Sequence, residues 1–185
     1  MTRTDAQNFT ALLDTIAQRH SGGKDIGSAD RSTHIPAPPG VKAADIPQEV
    51  KDALEPSENG TLDQLNQARA SGASGAQRYL AGDIDDHDFN NAIDQLETNS
   101  RDEFNQLQDA AIAKLRSIGQ EHPDLRQIIL SVFTETSDLL QDVGQQELKF
   151  LESLRSDPSA QVGKVDGFFN DLTRYLTNGW SQIVG

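Results

Sequence analysis

The densest group of reactive side chains is Asp83-Ile84-Asp85-Asp86-His87-Asp88, four carboxylates and an imidazole within six residues. Oxygen donors at that density suit a hard cation, so Asp83, Asp85, His87 and Asp88 form the candidate metal set. An EF-hand loop starting at Asp83 would need Gly at its sixth position and Glu at its twelfth, where Asp88 and Asp94 stand instead. The same run fits a plainer role, which is preferred. Gly82 ends one helix, and the aspartates cap and charge-complement the N-terminus of the next.

Other chemistry has less to build on. His20, His34, His87 and His122 are scattered, with no pair at helical metal spacing and no Glu-x-x-His, which disfavours a di-iron bundle. The chain has no Cys, so disulfides, thiolate metal sites and Cys nucleophiles are excluded. No Gly-x-Ser-x-Gly elbow and no phosphate loop of the GxxxxGK[ST] type occurs. Gly72-Ala73-Ser74-Gly75 is Gly-rich, but it lacks the preceding strand that a nucleotide loop requires. Neither catalysis nor a cofactor is expected.

A second candidate surface lies near the C-terminus. Phe168, Phe169, Leu172, Tyr175, Leu176 and Trp180 share one side of a helical pattern. Such a face inserts into a partner's groove or a membrane interface, or else forms core. The polar face carries Asp166 and Asp171 with Lys164 and Arg174. It is not basic, so a membrane is the less favoured target.

The elements that position these residues are helical. Phe89, Ile93, Leu96, Ser100, Phe104, Leu107, Ala111, Leu115 and Ile118 follow a period of about 3.6 residues, with Ser100 the one polar member. Asp85 or Asp86 starts this helix, Gly119 ends it, and its length is about 45 Å at 1.5 Å per residue. His122-Pro123 opens the next helix, with Leu125, Ile129, Val132, Thr136, Leu139, Val143, Phe150 and Leu154 on one face. Gly144 is a candidate bend and Ser156-Asp157-Pro158 the stop. A last helix over 159–184 carries Val162, Val165, Phe169, Leu172, Leu176, Trp180 and Ile183.

Before these, a helix over 61–80 has the stripe Leu62, Leu65, Ala68, Gly72, Ala76 and Leu80. Ala68, Gly72 and Ala76 at spacing four predict close helix packing at its middle, or a bend near 70–75. The N-terminal part reads differently. A Thr4–Gln7 capping box opens a short amphipathic helix over 1–20, with Phe9, Leu12, Leu13 and Ile16 as its stripe, and Ser21-Gly22-Gly23 ends it. Residues 21–60 read as a Pro/Gly/Ser-rich linker with a short helix near 45–54, stopped by Pro56 and Asn59-Gly60. No strand pattern survives. The expected architecture is all-α: an elongated antiparallel bundle of about four helices over 61–185, with the N-terminal helix on a flexible linker.

Charge narrows the partners. The net charge is -13, from 16 basic and 29 acidic residues. That argues against nucleic acid, which needs clustered Lys and Arg, and against anionic membranes. No run approaches the ~20 apolar residues of a membrane span, and Met1–His20 lacks the apolar region of a signal peptide. The expected location is cytoplasmic, or export without a cleavable signal peptide. The function expected from these features is a non-catalytic interaction or assembly protein (adaptor, chaperone-like or structural) that binds a protein partner or a second copy through helix faces. The alternative is a leaderless secreted effector or toxin acting at membranes through its aromatic C-terminal helix.

Overall fold

A computed structural model describes residues 3–21 and 43–185. Six α-helices follow in order: α1 Arg3–Ser21, α2 Gln48–Ala81, α3 Asp86–Glu121, α4 Arg126–Ser156, the four-residue α5 Pro158–Gln161 and α6 Val165–Ile183. Single 3-10 turns precede α2, α4 and α6. The fold is an all-α bundle, with no strand among the described residues. The Ser21-Gly22-Gly23 stop, His34 and the prolines at 36, 38 and 39 lie partly or wholly outside the described residues, as do the side chains of Thr4 and His20.

Short connections force antiparallel neighbours. Gly82 adopts φ 79° and closes α2, with its N–H bonded to Tyr79 O at 3.0 Å and the Asp83 N–H to Arg78 O at 2.9 Å. This is the Schellman arrangement, and glycine takes the left-handed conformation without a Cβ penalty. α3 then returns along α2, and α4 returns along α3. α6 closes the bundle against α2 and α4, and α1 lies on α3 and α4. The core holds Leu65, Phe89, Ile93, Leu115, Ile129, Phe133, Leu151, Leu154 and Phe169, all essentially inaccessible.

Several boundaries differ from the sequence expectation, and packing explains the two clearest. The expected stop at Pro56–Gly60 is absent, and α2 runs unbroken from 48 to 81. Pro56 forfeits one backbone hydrogen bond. However, Val50, Ala53, Leu54, Ser57, Thr61 and Leu65 bury one continuous face across it, and that burial outweighs the local loss. Gly60 serves close approach rather than a turn: a Cβ there would lie 2.6 Å from Leu107 Cδ2. Gly119 likewise does not end α3, which continues to Glu121; it is buried, and a Cβ there would overlap the Phe9 ring. α4 continues through Gly144 without a break. The expected last helix is divided into α5, a 3-10 turn at Val162–Lys164, and α6.

α1 is docked. Phe9, Leu13, Ile16 and Ala17 are buried, Arg116 bonds Asp14, and the Arg126 guanidinium stands 5.5 Å from the centroid of the Phe9 ring.

Candidate functional site

Among the described residues the bundle buries one carboxylate. Glu147, about two-thirds of the way along α4, is 0% exposed. Facing it are Gln64 of α2 and Ser100 of α3, both nearly buried. The Gln64 amide nitrogen, with two N–H donors, lies 2.6 Å from both carboxylate oxygens and 2.7 Å from Ser100 Oγ. The Ser100 hydroxyl lies 2.9 Å from Glu147 Oε1 and 2.9 Å from the Leu96 carbonyl oxygen, two acceptors for its one proton. Among the described residues no cation pairs with Glu147.

Burial is costly for a charge without a counter-ion. It pushes the Glu147 carboxyl up to about 7, against the pull of the Gln64 and Ser100 hydrogen bonds and with a further push from the negative charge of Glu103. The group therefore gains and loses its proton close to neutrality. Both oxygens are already engaged by neutral donors, so the carboxylate is not free to act as a general base in this arrangement.

A cavity of about 290 Å³ opens beside this cluster, between α2, α3 and α4. Its wall includes Gln64, Ser100 and Glu147 together with the apolar Phe104, Leu140 and Leu148. Gly144 contributes no side chain, and a Cβ there would meet nothing within 4 Å. Arg101 and Asp102 stand on the α3 side. Two turns further along α3 lies a second buried polar pair, in which Ser137 Oγ donates to Gln108 Oε1 at 3.2 Å; the Gln108 amide nitrogen is buried without a partner.

The acidic run occupies the α2–α3 turn. Asp85 is the N-cap of α3, and its carboxylate accepts from the Asp88 backbone N–H at 2.9 Å. Asp86 accepts from the Tyr79 hydroxyl at 2.6 Å, which holds the Tyr79 proton more tightly than usual. His87 bonds Asn91 at 3.1 Å. Asp83, Asp85, His87 and Asp88 are all exposed. Among the described residues no three His, Asp or Glu side chains form a group able to hold a metal ion.

The aromatic face of α6 turns inward. Phe169, Leu172, Leu176 and Trp180 are buried. Phe168 is partly buried and stacks on Phe150 with centroids 4.1 Å apart, and both meet Phe169 edge-on. Tyr175 alone of the six is exposed, at 45%. No helix of the described residues is long and apolar enough to cross a membrane.

Ala68, Gly72 and Ala76 are buried, with Gly72 facing Leu154. Leu80, the last member of that stripe, is 47% exposed. On the outer side of the same helix, α2 and α3 leave an open groove of about 600 Å³. Small side chains line much of it: Ala70, Ser71, Ser74, Gly75 and Ala92. A further depression continues along α3 to Asn99.

The sequence pattern flags Ser100 as a polar member of an apolar stripe but passes over Gln64 and Glu147. The available signal for Glu147 is a gap: the α4 stripe jumps seven residues from Val143 to Phe150, and the helical position between them is Glu147. Comparison with protein-family models, curated proteins and solved structures finds no match to this chain.

Proposed function

We propose that the protein is a non-catalytic interaction protein that engages a helix of a protein partner, or of a second copy, through a helix face. The α2–α3 groove carries this reading. Two long helices present small side chains to solvent there, so a third backbone can approach closely without displacing bulky groups. Arg78 and Asp88 stand on the groove wall with opposite charges and would orient an incoming polar helix end rather than supply most of the affinity.

Ser74 is exposed and points into the groove. Ser74→Arg therefore fills the groove with little effect on the fold. The test is retention of proteins from a source lysate by the intact chain and by Ser74→Arg, with sedimentation velocity of the pure protein to cover self-association. A species, or a dimer, that is held by the wild type and lost by the variant supports the reading. Equal retention by both proteins, or no retained species together with a monomer at all concentrations, overturns it.

A further inference from the structure

Glu147 poses a separate question. A carboxylate with no counter-ion among the described residues, fully buried beside an open cavity, is an arrangement that stability alone does not favour. An apolar residue of similar volume at that position would avoid the desolvation cost. The cavity supplies what the carboxylate lacks: room for a cation, beside apolar walls. We propose that the cavity between α2, α3 and α4 is a binding site for a small primary amine, its ammonium seated on Glu147 and its apolar body against Phe104, Leu140 and Leu148.

The donor and acceptor inventory matches. A primary ammonium has three N–H donors and no acceptor. In the structure the Gln64 amide nitrogen covers both Glu147 oxygens at 2.6 Å. An ammonium takes that nitrogen's place. Gln64, whose side chain already forms part of the cavity wall, then turns to offer its carbonyl oxygen instead. Glu147, Gln64 Oε1 and Ser100 Oγ provide three acceptors for three donors, with the Ser100 proton directed to the Leu96 carbonyl 2.9 Å away. The charge-assisted contact to Glu147 is the strong one. The apolar body sets the class: a cavity of about 290 Å³ lies at the lower end of the small-molecule range and takes a single ring or a short branched chain.

Proton linkage gives the site a signature. The charged groups beside the site come from α3: Arg101 and Asp102 line the cavity and Glu103 bears on the carboxyl, while the residues that α2 contributes to the wall, Thr61 and Gln64, are neutral. α4 contributes no other titratable residue to the wall. Below the titration of Glu147 near 7 the amine must displace a proton, so affinity rises about tenfold per pH unit and levels off above neutrality.

The inference stands apart from the α2–α3 groove and survives that groove's failure. The probe is 2-phenylethylammonium, titrated calorimetrically into the full chain at pH 5.5, 7 and 8, with 2-phenylethanol as its uncharged counterpart. Helix content by circular dichroism verifies the fold of each variant. The expected result is saturable binding of the amine that strengthens with pH, at least tenfold weaker binding of the alcohol, and loss of amine binding in both Glu147→Gln and Gly144→Leu. Gly144→Leu places a side chain in open space and favours the helix, so it tests the site even if the Gln variant does not fold. No saturable amine binding by the wild type at pH 8, equal binding of the alcohol, or amine binding unchanged in a folded variant would overturn the proposal.

Discussion

The sharpest prediction concerns the cost of burying Glu147. Its carboxyl is raised from 4.5 to about 7 in the folded protein. Between those values the native state holds a proton that the unfolded chain has released. Stability therefore falls as pH rises through this window, and the full cost is present above neutrality. The shift is about 2.5 units, and at 1.36 kcal/mol per unit it amounts to about 3 kcal/mol. Glu147→Gln keeps the shape and removes the charge. Its carbonyl accepts from Gln64, and its amide donates to Ser100 Oγ. Below pH 5 the wild-type side chain is itself neutral, and the two proteins should agree within about 1 kcal/mol, the worth of one neutral hydrogen bond. By pH 8.5 the variant should be more stable by about 3 kcal/mol, equivalent to a melting temperature higher by about 6–12 °C in a chain of this size. Urea unfolding followed by circular dichroism from pH 4.5 to 8.5 measures the difference directly. Glu58, whose carboxyl is also raised by burial and by Glu55, is present in both proteins and cancels. A constant difference between them across the pH range would refute the reasoning, as would a stability advantage of the variant that shrinks as pH rises.

Further outcomes follow from the packing. Gly119→Ala places a methyl into the Phe9 ring and should lower stability by about 1–3 kcal/mol in denaturant titration. Gly144→Ala, where the space is open, should raise it by about 0.5–1 kcal/mol through helix propensity. Leu154→Ala removes a fully buried side chain that faces Gly72 and should cost about 2–5 kcal/mol by the same measurement. Asp85→Ala deletes the α3 cap and should cost about 0.5–2 kcal/mol, with earlier amide hydrogen exchange in the first turn of α3 as the local readout.

The acidic surface and the inward aromatic face have a joint consequence. Phe169, Leu172, Leu176 and Trp180 are the core contribution of α6, so any contact they make with a membrane or partner requires α6 to leave the bundle. Acid does not drive that step through Glu147, because protonation removes the cost of its burial and tightens the closed state. An acid-triggered opening would have to come from the other groups.

Much of the architecture is legible in the residues themselves. The 3.6-residue stripe from Phe89 to Ile118 places α3, and the apolar face from Leu125 to Leu154 places α4. Gly82 beside a run of aspartates marks the turn between α2 and α3. These features follow from local rules: periodicity decides which face is apolar, and short polar side chains or a glycine decide where a helix can start or stop. Local rules reach their limit where a distant segment supplies the deciding energy. Pro56 and Gly60 break a helix by propensity, yet α2 passes through both because its buried face from Val50 to Leu65 is continuous. Gly119 looks like a terminator until the Phe9 ring, 110 positions earlier, is seen to need its missing Cβ. The Glu147 cluster lies furthest beyond sequence reading. Gln64, Ser100 and Glu147 come from three helices, with 36 positions between the first two and 47 between the last two. Each alone is an ordinary polar residue on a helix. Only the packing of α2, α3 and α4 decides that they face one another away from water, and low polarity with no counter-ion then turns an ordinary carboxylate into the group that titrates near neutrality.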